Sequence, residues 1–141
     1  MNEPRRIDPV RWEEAARWLV FVDEDMRVVE VLMASHPIVV RGAAFHCQQA
    51  VEKMAKAVLV AMGADVPKIH DLYELSWLVH DHDIAIGEAV RALANLTTWA
   101  TVVRYPDLEA NVAPSANDIR FAFERLTQLG RRIAALKSEA Q

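Results

Sequence analysis

Apolar residues recur every three or four positions along most of this chain, and no segment shows the sustained period-two alternation of a half-buried strand. Ala15, Trp18, Leu19, Val22, Met26, Val29 and Met33 define one face of a long first helix. Asp8 can cap its start, and Pro9 suits the first helical position because its φ is fixed and its missing N–H would have had no partner there. The helix is expected to end near Ser35-His36-Pro37, since a proline disfavours helical geometry at the residue before it. At ~1.5 Å per residue this element is about 40 Å long.

A second helix is predicted from roughly Val39 to Met62, with Ala44, Cys47, Val51, Met54, Val58 and Met62 on its inner stripe and Gly63 at the left-handed cap position. A third, shorter helix follows in "HDLYELSWLVH", with Asp71 and Glu74 at its positive end. Residues 84 to 103 continue the helical spacing through Ile86, Val90, Leu93, Leu96 or Thr97, Ala100 and Val103, so a fourth helix is predicted there, stopping before Pro106. Ser115 and Asp118 then form the Ser-x-x-acid pattern of a capping box that opens a final helix. The expected fold is all-α: an up-and-down bundle of about five helices in one domain, 1–141, with 1–7 and 138–141 as flexible ends.

Composition narrows the function. The formal net charge of −4 argues against nucleic-acid binding by bulk basicity, although a local basic patch stays possible. The apolar run between Arg91 and Arg104 is far short of the ~20 residues a spanning helix needs. The N-terminus lacks the apolar core of a signal peptide, so no membrane association and a cytoplasmic location are expected. Cys47 is the sole cysteine, which excludes an internal disulfide and a cysteine-based metal cage. On an apolar helix face it reads as a small buried hydrophobe, not a nucleophile.

The candidate chemistry is polar and scattered. His80 and His82 form the densest histidine cluster, but they sit in an expected loop without the three or four convergent ligands of a metal site, and no metal or cofactor is assigned. The second helix carries Gln48, Gln49, Glu52, Lys53 and Lys56 as a polar band, most simply a solvated face held by Glu52–Lys56 one turn apart. A sharper alternative has Gln49 and Lys53 lining a cleft, the lysine on a phosphate and the amide on a base or ribose. His70 precedes the third helix beside Asp71, as a capping residue or as a neutral imidazole held for proton transfer. Arg104 lies where the fourth helix is expected to end, a favourable place for a cation even without a function.

Taken together and in order, "AAFHCQQAVEKMAKAVLVAMG", "PKIHDLYEL" and "RYPD" resemble the HEPN domain family over nearly the whole chain. The resemblance implies a four- or five-helix bundle, usually a homodimer, often the partner of a minimal nucleotidyltransferase in a toxin–antitoxin type of system. It also implies, for active members, a metal-independent ribonuclease whose arginine is followed four to six residues later by a histidine. Here Arg104 is followed by Tyr105 and Pro106, and no histidine occurs after it. The one pair with the nominal spacing, Arg41 and His46, lies about 140° apart on a helix advancing ~100° per residue, so it does not share a face.

The expectation is therefore a nucleotide- or RNA-binding partner of a nucleotidyltransferase, with Arg104 and Tyr105 in a dimer cleft and His70, Asp71, Gln49 and Lys53 as neighbours. A ribonuclease with a degenerate motif, Arg104 supplying the cation and His70 the base, is the alternative. A non-catalytic structural adaptor is the third.

Overall fold

A computed structural model describes residues 4–100 and 114–140. Among them are five α-helices: α1 Pro9–Ala34, α2 Val40–Ala61, α3 Leu72–His80, α4 Ile84–Arg91 and α5 Ala116–Ala134. The predicted caps form. Asp8 accepts from the Val10 N–H at 2.9 Å at the start of α1. Ser115 Oγ accepts from the Asp118 N–H at 3.1 Å, while Asp118 accepts from the Ser115 N–H at 2.9 Å, completing the box that opens α5. Gly63 takes φ +76° just past α2, a conformation that side chains with a Cβ rarely adopt.

Helix α2 is the axis of the bundle. Fourteen of its twenty-two residues are buried, because α1 covers one side while α3, α5 and a 3₁₀ helix cover the others. A helix buried on several faces needs small residues where neighbours approach closely, and Ala43, Ala44, Ala50, Ala55, Ala57 and Ala61 supply them.

The predicted fourth helix is not continuous. α4 stops at Arg91, and Ala94–Thr98 forms a 3₁₀ helix instead. Tightening to three residues per turn places Leu93, Leu96 and Trp99 on one side, and all three are buried. The change also presents Thr97 Oγ1 to the free Leu72 N–H at the start of α3, at 3.1 Å. No glycine or proline marks this break; the apolar packing imposes it.

Parts of the two expected flexible ends meet. Ile7 is buried, its N–H donates to the Glu139 carbonyl at 2.8 Å, and the Arg5 guanidinium pairs with Glu139 at 2.7 Å and Asp83 at 3.1 Å.

Candidate functional site

The polar band on α2 is the centre of the candidate site, and it is not a solvated face. Gln48, Glu52 and Lys56 are each at most 6% exposed. Burying a charge is costly unless a partner and hydrogen bonds compensate it, and this seam supplies both in two separate hydrogen-bonded groups.

The first group centres on Glu52. Lys56 Nζ donates to Glu52 Oε2 at 3.3 Å, as the one-turn spacing predicted. Gln49 Nε2 donates to Gln48 Oε1 at 2.7 Å, and Gln48 Nε2 donates to Glu52 Oε1 at 3.2 Å. His70 arrives from the segment before α3, with Nδ1 3.1 and 3.2 Å from the two carboxylate oxygens. An ionised carboxylate only accepts, so Nδ1 carries the proton and the ring is oriented by it. The imidazole is itself 78% exposed, and Nε2 has no protein partner among the described residues.

The second group centres on Asp25 of α1, which is 6% exposed. Lys53 Nζ donates to it at 2.6 Å and His46 Nδ1 at 2.8 Å. Asp25 lies three residues after Val22 and four before Val29, on the inward stripe of α1, and that position is the signal by which the sequence marks it. Lys53 also lines a groove of about 370 Å³ with Arg17, Trp18 and Phe21, its ammonium 5.9 Å from the Phe21 ring centre.

The structure thus brings His70 and Gln49 into one hydrogen-bonded chain through Glu52 and Gln48. It sets Lys53 apart on Asp25, so its charge is neutralised instead of open to a phosphate. Asp71 belongs to neither group: it is the N-cap of α3, its Oδ1 accepting from Tyr73 and Glu74 N–H at 2.8 and 3.1 Å. The cap of α3 is therefore Asp71 and not His70. Arg104, Tyr105 and Pro106 lie outside the described residues.

Of the expected loop cluster, His82 lies in the turn between α3 and α4, but His80 does not. His80 is the last residue of α3, and its Nδ1 lies 3.1 Å from an Arg91 guanidinium nitrogen, which can only donate. That guanidinium also stacks on Trp77 at 3.6 Å from the ring centre. No group of three His, Cys, Asp or Glu side chains that could hold a metal occurs among the described residues. Burial pushes the Cys47 thiol up to about 12, so it stays protonated and unreactive near neutrality. No helix among the described residues is long and apolar enough to cross a membrane.

An all-helical bundle with a buried polar seam on its central helix defines the class of architecture, and the comparisons place it further. Residues 15–134 match the HEPN domain family. With most of its length matched, the chain belongs to the HEPN family, whose domains commonly dimerise and serve nucleotide- or RNA-related functions. No curated protein and no solved structure matches it.

Proposed function

We propose that this HEPN protein is a nucleotide- or RNA-binding homodimer that acts with a minimal nucleotidyltransferase in a toxin–antitoxin type of system, with His70 and Arg104 facing the ligand. The observation that supports this reading is the Glu52–His70 pair: a buried carboxylate holds an exposed imidazole by one nitrogen and leaves the other toward solvent. Such an edge can hydrogen-bond a base or a phosphate at little further ordering cost, because the ring is already fixed.

The test is thermal protection of the purified protein by ATP, GTP and a short single-stranded RNA. Protection is expected to vanish in both His70→Ala and Arg104→Ala, while Asp71→Asn, which alters only a helix cap, keeps it. Absence of protection by any of these ligands overturns the binding reading. A monomeric mass by sedimentation at micromolar concentration overturns the dimer, and failure to co-purify with a nucleotidyltransferase encoded beside it overturns the partner.

The same pair favours a second reading, as a metal-independent ribonuclease. Cleavage at a 2′-hydroxyl requires a base, and an imidazole fixed through Nδ1 by a carboxylate with Nε2 toward solvent has the geometry of one. In that case RNA is cut without added metal, and His70→Ala abolishes cutting while retaining RNA binding.

A further inference from the structure

The net charge of −4 hides a division within the chain. Residues 116–139, α5 and the 3₁₀ turn after it, carry five basic and three acidic side chains, whereas residues 1–115 carry eleven basic and seventeen acidic ones. The helix dipole accounts for Arg131 and Arg132, in the last turn of α5. It does not account for Arg125, in the middle of the helix, where the dipole exerts little effect.

Arg125 and Arg132 are seven residues apart, which puts them on one face about 10.5 Å apart along the axis, with Gln128 between. All three are exposed. They form one wall of a groove of about 120 Å³ whose other wall is the end of α4 and Leu93, and among the described residues no acidic one lines it. Among the described residues neither arginine makes an ion pair.

Beyond Arg125 the groove opens into a recess of about 420 Å³. There the Arg125 guanidinium lies 4.6 Å from the centre of the Phe121 ring, which is 59% exposed. Among the described residues the one acid in the recess is Asp118, which accepts from the Ser115 N–H in the capping box.

We propose that this groove is the track of a single-stranded polynucleotide, with Arg125 and Arg132 on its phosphates and Phe121 stacking a base; the proposal rests on the nucleic-acid reading above. Two cations two turns apart suit a polyanion better than a mononucleotide. The exposed aromatic ring in the recess favours a polynucleotide over an acidic polypeptide, because every base offers a planar face to stack.

The experiment uses the full chain and fluorescein-labelled oligo-U RNA and oligo-dT, with anisotropy followed as KCl is raised. Combining Arg125→Ala with Arg132→Ala is expected to weaken binding at least tenfold at low salt. It should also flatten the slope of log K against log salt by about 1.4, at ~0.7 per phosphate contact on a single strand. Lysine at both positions restores the slope, and Phe121→Ala weakens binding without changing it. Arg131→Ala with Lys137→Ala removes the same charge elsewhere and has a much smaller effect. The ratio of RNA to DNA affinity identifies which strand the track serves.

Oligonucleotide binding with a slope unchanged in the Arg125/Arg132 variant overturns the track and leaves the binding reading standing. No oligonucleotide binding at all overturns the track and the RNA part of the binding reading, and if ATP and GTP also fail to protect the protein the whole binding reading falls with it. Tighter binding of polyglutamate than of either oligonucleotide makes the groove a dock for acidic protein and also overturns the proposal.

Discussion

Glu52 is the residue on which the polar interior of α2 depends, since Gln48, Lys56 and His70 all converge on its carboxylate. Replacing it by alanine leaves the Lys56 ammonium, 8% exposed, without its counter-charge. Breaking a buried pair from one side costs ~3–5 kcal/mol, much of it the desolvation of the charge left behind. Glu52→Ala is thus expected to lose that amount in urea denaturation, and Glu52→Gln, which keeps the shape and an acceptor oxygen, less. Restoration of most of the loss by Glu52→Ala with Lys56→Met would confirm that the stranded cation is the cause; an additive further loss would refute it. The one-turn Glu52–Lys56 pair was legible in the sequence because it is local. Its burial was not, nor was the approach of His70 and Asp25, because these depend on elements eighteen or more residues away packing onto α2.

Among the elements, two glycines separate backbone approach from local propensity. A Cβ on Gly87 of α4 would lie 2.6–2.7 Å from His80 backbone and Cβ atoms in α3, where neither helix can yield cheaply. A Cβ on Gly130 of α5 would meet only Met54 Cε, the end of a flexible side chain, at an ordinary 3.5 Å. Gly87→Ala is therefore expected to destabilise by about 1–3 kcal/mol, as overpacking does. Gly130→Ala is expected to stabilise by about 0.4–1 kcal/mol, by restricting the unfolded chain and improving helix propensity. Thermal melts of the two variants check the opposite signs. Helix boundaries set by short-range chemistry, such as Asp8 with Pro9, Gly63, and Ser115 with Asp118, could be read directly from sequence. The break between α4 and the 3₁₀ helix could not, because 93, 96 and 99 fit a continuous α-helix nearly as well, and only the packed neighbours choose the tighter turn.

At the scale of the whole molecule, the chain closes on itself through its first described residues. Ile7 is 2% exposed and bonded to the Glu139 carbonyl, while the Arg5 guanidinium joins Glu139 to Asp83, and its Nη1 donates to the His82 carbonyl at 3.1 Å. One contact thus spans the start of the chain, the α3–α4 turn and the end of the bundle. The apolar and ionic parts of this closure differ in strength. The Arg5 side chain is about one-third exposed, so water and salt screen its pairs, and Arg5→Ala is expected to cost no more than ~1 kcal/mol, shrinking further in high salt. Ile7 has no such screening, and Ile7→Ala should cost ~2–5 kcal/mol through lost transfer energy and the cavity left behind. Denaturant midpoints at 50 mM and 1 M NaCl distinguish the two. A salt-insensitive Arg5→Ala loss larger than that of Ile7→Ala would mean that the ion pairs, not the buried isoleucine, hold the ends of the bundle together.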